Sequence, residues 1–286
     1  MSSKTKGILF ILSAAFCFAL MGAFVKLAGD LPSIQKSFFR NAVAAVFALV
    51  ILVRTPHGFR FQKSNLPFLL LRSICGTIGI LCNFYAVDHL VLSDASMLNK
   101  LSPFFAILFS YLCLKEKVTP FQVTAVCAAF AGSLFIIKPS FSGITDSLPA
   151  LVGVLGAVGA GSAYTAVRYL SQHGEKGPFI VFFFSAFSCL VTLPFLLFDY
   201  HPMSVSQLVC LLLAGLAAAG GQFSITAAYS HAPASEISVF DYTQVLFSAL
   251  LGLLLFEQWP DGFSVAGYII ICGVSVVMFR YNQKKL

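Results

Sequence analysis

Stretch after stretch of this chain is apolar for roughly 18–25 residues at a time, the length at which a helix crosses about 30 Å of hydrocarbon. Lipid offers no hydrogen bonds to free backbone groups, so such segments can fold only as helices or as a closed barrel. Barrel strands would read as alternating segments of about ten residues, and that alternation is absent. The stretches are 7–28, 33–53, 66–87, 93–114, 119–137, 149–171, 177–198, 206–230, 233–256 and 262–280. Pro32, Pro56, Pro67, Pro139, Pro149, Pro178, Pro202, Pro233 and Pro260 lie at or near their ends, where a missing N–H is tolerated. Charged residues make up 10% of the chain, against about 25% in soluble domains, so there is too little polar surface for a water-facing shell. The expectation is an all-α integral membrane protein of ten transmembrane helices. The first stretch is not read as a cleaved signal, because comparable ones follow it.

Lysine and arginine set the orientation. With the N-terminus in the cytoplasm, Lys4, Lys6, Arg54, Arg60, Lys63, Lys115, Lys117, Lys176, Arg280, Lys284 and Lys285 fall inside, and only Lys26, Lys36 and Lys138 at outer ends or loops. That positive-inside bias places both termini in the cytoplasm of a cell membrane. The net charge of +7 then reflects topology and contact with anionic head groups. No basic, aromatic-interleaved soluble patch points to nucleic acid. Cys17, Cys75, Cys82, Cys113, Cys127, Cys189, Cys210 and Cys272 all fall inside apolar stretches without metal-ligand spacing, and read as small buried packing residues. Neither a nucleophile elbow, a zinc-protease motif nor a phosphate-binding loop occurs. No enzyme, cofactor or metal site is expected.

The chain repeats itself. An ungapped shift of 141 lays Ala86 on Ala227, Glu116 on Glu257, Ala125 on Ala266 and Gly132 on Gly273, and it lays Lys100 on Asp241. Gly7 and Gly153 match more loosely as openings of the first and sixth helices. Five helices per half is an odd number, so the second half enters the membrane upside down. That is the inverted-repeat logic of secondary transporters, with the site near the midplane between repeats. The halves are residues 1–140 and 141–286. Small residues form stripes in the sixth helix (Gly153, Ala157, Gly161; Gly156, Ala160) and the eighth (Ala217, Gly221), which read as close helix packing.

The run Leu112-Cys113-Leu114-Lys115-Glu116, with Pro103 upstream and Gly132 downstream, resembles the EamA-type signature of the drug/metabolite transporter superfamily. Leu253-Leu254-Leu255-Phe256-Glu257, followed by Gly273, matches it again, and Arg40 and the Arg72–Gly76 pair are similar too. The resemblance covers the whole chain. It implies movement of small metabolites, often export, through a cavity lined largely by helices 1, 3, 4, 6, 8 and 9. It implies no particular substrate, since the family spans amino acids, amines, nucleotides and vitamins. One position departs from the pattern: Gln244 stands where the first copy has Pro103, so matching kinks in the fourth and ninth helices are not implied.

Charges deep in apolar helices mark functional sites by default. Glu116 and Glu257 end their helices at the interface, where they would cap or orient hairpins. Lys26 and Arg72 would snorkel to the head groups, Arg40 would bond inside the bundle, and Arg168 would anchor the cytoplasmic end. Lys100 and Asp241 differ from these, because about 30 Å of core leaves them within reach of each other. Two readings stay open: a buried ion pair locking the repeats, or a clamp in which Lys100 faces a substrate carboxylate and Asp241 an ammonium. Around them Ser96, Asn99, Glu236, Ser238, Tyr242, Gln244, Asn83, Tyr85, Tyr164, Gln222 and Tyr229 could give a mostly apolar pocket its polar anchors. The backbone at Gly220 and Gly221 could approach a ligand, and Phe18, Phe84, Phe104 and Phe240 could wall the cavity. The expected function is secondary transport, with export favoured, of a small polar or amphipathic metabolite such as an amino acid or amine, by alternating access. A proton coupled to it would ride on Asp241 or Glu236. The alternative is a channel or a lipid-head-group translocator.

Overall fold

A computed structural model of the chain describes residues 3–89, 98–137, 147–257 and 259–284. All regular structure among them is helical. In order, the helices are α1 (Ser3–Leu27), α2 (Ser33–Arg54), α3 (Leu66–His89), α4 (Ser102–Leu114), α5 (Pro120–Ile137), α6 (Ser147–Gln172), α7 (Gly177–Phe198), α8 (Val205–His231), α9 (Ala234–Phe256) and α10 (Gly262–Lys284). Eight are long and apolar enough to cross a membrane; α4 and α5 are shorter apolar helices. The first residues of the expected fourth helix, 93–97, and most of the expected outer loop, 138–146, lie outside the described residues.

Side chains such as Val53, Leu190, Leu197, Leu254 and Ile269 stand about two-thirds exposed on the outer surface. Water would penalise that arrangement and lipid does not, which makes this a multi-pass membrane protein. One helix start is capped locally at the surface. Ser204 caps α8 by accepting from the Gln207 N–H at 3.2 Å, while the Gln207 side chain accepts from the Ser204 N–H at 2.9 Å.

Helix association in lipid relies on close backbone approach at small residues, and the glycines show where it happens. α1 packs most extensively on α8, α3 on α6, α2 on α7, and α5 on α10, with α4 against α6 and α1 against the second part of α9. A Cβ on Gly159 would sit 2.7 Å from the Cys75 carbonyl oxygen, and one on Gly132 would sit 2.8 Å from Ile270. The small residues of α6 serve two neighbours: Gly156 and Gly159 face α3, whereas a Cβ on Gly161 would meet Phe105 of α4 at 2.6 Å. Gly220 and Gly221 do not open a route to a ligand. They receive Cys17 and the Phe18 ring of α1, which a Cβ on Gly221 would meet at 2.5 Å.

Both termini finish on one face. There Lys4 pairs with Glu236 at 3.0 Å, Asn282 donates to the Glu236 carbonyl, and Arg168 pairs with Glu116 at 2.8 Å. The opposite face carries the Gln35–His201 and Gln207–Ala28 contacts. Arg168 therefore ties α6 to the end of α4 and, through the Tyr229 and Ser230 carbonyls, to α8, instead of anchoring to head groups. Glu116 clamps across to α6 where a hairpin role was expected. Glu257 has no such part: it is exposed and itself takes the left-handed conformation (φ 53°) that Lys115 takes in the first copy (φ 54°). None of the eight cysteines is fully buried, and Cys113, Cys127 and Cys272 point outward from their helices.

Candidate functional site: a polar cavity beside two helix breaks

The α-helical ladder is interrupted twice, at matching register. In the first half Lys100 and Leu101 form a turn before α4 begins at Ser102. In the second, a 3-10 segment spans Ser238–Tyr242 before the α-helix resumes at Thr243. Thr243 and Ser102 are again 141 apart (243 − 102 = 141). Pro103 accounts for the first break, because it brings no N–H to the turn before it. The second has no proline, and side chains hold it instead. The Thr243 hydroxyl donates to the Phe240 carbonyl at 2.6 Å, and Lys100 Nζ to the Asp241 carbonyl at 3.4 Å. The Tyr242 hydroxyl returns the favour, donating to the Lys100 carbonyl at 2.9 Å. Each break thus supplies the donor that the other's freed carbonyl needs, as broken membrane helices require.

Lys100 and Asp241 meet across this junction. Nζ lies 3.3 Å from Asp241 Oδ2 and 2.7 Å from Gln244 Oε1. Gln244 carries the junction into a cavity of about 150 Å³, whose wall draws on α1, α2, α3, α6, α7, α8 and α9 and on Asn99 just before α4. Asn83, Asn99, Tyr164, Gln222 and Gln244 line it, with Phe18 as an apolar wall. Asn99 donates to Asn83 at 2.8 Å, which fixes both amides at its edge.

Toward the face bearing the termini the cavity ends in packed layers. Tyr164 stacks on Tyr229 with ring centroids 5.0 Å apart, Tyr229 shares a hydrogen bond with Ser238, and the Arg168–Glu116 pair lies below.

Several expected anchors stand elsewhere. Tyr85 stacks on His89 near the end of α3, and Glu236 is held by Lys4 at the terminal face. Phe240 is in the core at 3% exposure, and Phe104 packs edge-on to Phe130. Ser96 and the Phe84 side chain lie outside the described residues.

Two charges belong to the wall that were not expected there. Arg72, read as a snorkelling residue, is 2% exposed; its Nη2 donates to Gln222 at 3.1 Å and its guanidinium lies 4.0 Å from the centre of the Phe184 ring. Gly76, one turn on, makes this possible, since a Cβ there would overlap that guanidinium. Arg40 is 7% exposed on the same cavity, and its Nε has no partner among the described residues. The Arg72–Gly76 spacing was the signal available in the sequence: a glycine one turn from a buried arginine leaves room to turn inward.

The sequence model of the EamA-like transporter family matches residues 5–138 and again 147–280. The chain is 35% identical over 279 residues to a pseudopaline exporter, CntI, of Pseudomonas aeruginosa, with 97% of each chain covered. It is 26% identical to the human solute carrier family 35 member G1, covering 94% of this chain and 78% of that one. With a riboflavin transporter of Rhizobium johnstonii it shares 27% identity, covering 99% and 94%. A solved crystal structure superposes with a TM-score of 0.86 at 16% identity over 98% of both chains, which shows the fold alone.

Proposed function

Since the chain belongs to the EamA-like transporter family and is a transporter rather than an enzyme, we propose that it is a secondary exporter of a small polar or amphipathic metabolite, amino acids among them, moved by alternating access. The observation that carries this reading is the polar cavity at the junction of both halves, closed toward the terminal face by the Tyr164–Tyr229 stack and the Arg168–Glu116 pair. Export draws support from the Pseudomonas relative, which is named an exporter.

Ten membrane helices in two inverted five-helix repeats, 1–140 and 141–286, give the frame. Its support is the packing itself. Advancing each helix by five turns α1–α8 into α6–α3 and α4–α6 into α9–α1, while α2–α7 and α5–α10 map onto themselves. The two family matches fall within the same halves. Lys100 and Asp241 serve in this reading as the lock between repeats, competing with substrate when the halves rearrange. Asp241 is the acid through which a proton would couple. The positive-inside bias supports an orientation with both termini in the cytoplasm, which turns the cavity's closed side inward.

Purified protein in proteoliposomes tests the reading. Saturable counterflow of a labelled solute supports a carrier; conductance without saturation supports a channel instead.

A further inference from the structure

Arg40 and Arg72 place two guanidinium groups on one small cavity, and neither makes an ion pair among the described residues. No acidic residue is among those lining it. The acid closest in role, Asp241, is occupied by Lys100 at 3.3 Å. Each arginine is more than nine-tenths buried, and each has an Nε without a partner. Burying a cation without its counter-ion is expensive, and proteins keep such groups where a ligand completes them. Around the two guanidiniums stand only neutral polar groups: Gln222, already held by Arg72, and Asn83, Asn99, Gln244 and Tyr164.

Guanidinium donors form a planar fork that matches a carboxylate in two-point contact. We propose that the cavity is an anion site in which Arg40 and Arg72 grip a carboxylate of the substrate, so that the exported metabolite is an organic acid or an amino acid entered carboxylate first. Phe184 and Phe18 flank the site and suit the apolar body of such a molecule. A simple amine finds two positive charges and no acid here, and is refused. The proposal rests on the cavity being the transport site.

The test uses detergent-purified full-length protein and a series of carboxylates (acetate, succinate, citrate) against chloride and the diamine putrescine at equal ionic strength. At least one carboxylate should raise the melting temperature saturably, and chloride and putrescine should not. Arg40→Gln and Arg72→Gln should each weaken that affinity roughly 10- to 100-fold, the worth of one charge-assisted contact. Arg40→Gln should also melt no lower than wild type without ligand, because it removes an uncompensated buried charge; an arginine kept for structure would melt lower. If a glutamine variant fails to fold, Arg→Lys at that position keeps the cation but loses the fork, and should bind more weakly than wild type. A melting temperature indifferent to every carboxylate overturns the proposal, as does carboxylate binding unchanged in the variants. Efflux from proteoliposomes separates this failure from that of the transport reading. Saturable efflux of putrescine, insensitive to both arginines, would keep the transporter and discard the anion site. Carboxylate-specific stabilisation without any saturable efflux would keep the anion site and discard the transporter.

Discussion

Replacing Lys100 by methionine removes one half of a pair that is almost sealed from solvent, with side chains 10% and 13% exposed. Charges 3.3 Å apart attract by about 5 kcal/mol at an effective dielectric of 20. Leaving Asp241 alone at that depth should cost roughly 3–5 kcal/mol. The same substitution also strips the Asp241 carbonyl and Gln244 of a donor, with Nζ now 3.4 Å and 2.7 Å away, each worth about 1 kcal/mol. Asp241→Asn should be milder, because an amide keeps an acceptor for Lys100. The decisive variant carries both changes. If the pair locks the repeats, Lys100→Met with Asp241→Asn should melt well above Lys100→Met alone and recover much of the transport. If the pair grips a zwitterion, the double variant should fold and remain inactive. Melting curves in detergent and counterflow in proteoliposomes read the two effects separately. Wild-type stability and transport in both single variants would refute the reasoning, since it would show that the buried charges do not depend on each other.

Arg168→Ala should destabilise by roughly 3–5 kcal/mol, because it strands Glu116, whose Oε2 already lacks a partner, and frees the Tyr229 and Ser230 carbonyls; a melting curve within a degree of wild type would contradict this. Gly76→Ala should cost about 1–3 kcal/mol by overpacking, since its Cβ would reach the Phe184 ring at 2.8 Å and overlap Arg72, and transport should fall with it. Ser64→Cys in a background without native cysteines should react with an impermeant reagent only after cells are opened; labelling of intact cells would reverse the orientation. Asn65 next to it would be a poor reporter, being 2% exposed and bonded to Glu175 at 2.9 Å.

Eight of the spans and the sequence repeat could be read from the sequence because both follow from one-dimensional pattern, whereas the stretch expected at 93–114 holds a helix of only 13 residues from Ser102. The shift of 141 singled out Lys100 and Asp241, and the structure brings them into contact. The direction a side chain takes around its helix is a three-dimensional quantity, and there the sequence was less informative. Arg72 reads in the sequence as a snorkelling residue, yet it turns inward over Phe184 into space left by Gly76. Tyr85 and Glu236 lie on the right helices but away from the cavity. The Arg168–Glu116 pair joins segments 52 residues apart, and no local pattern announces such a partner. The break in α9 was hidden for a similar reason: without a proline it rests on Thr243, Lys100 and Tyr242, two of which act across the junction.

The cavity between the halves is claimed as the transport path, and a plug tests that most directly. Met21 forms part of its wall from α1 and is only partly buried, so Met21→Trp should fill the space without breaking a helix contact. Saturable counterflow in proteoliposomes, abolished by Met21→Trp while the melting temperature holds, is the predicted result. Undiminished counterflow in the plugged protein would contradict it.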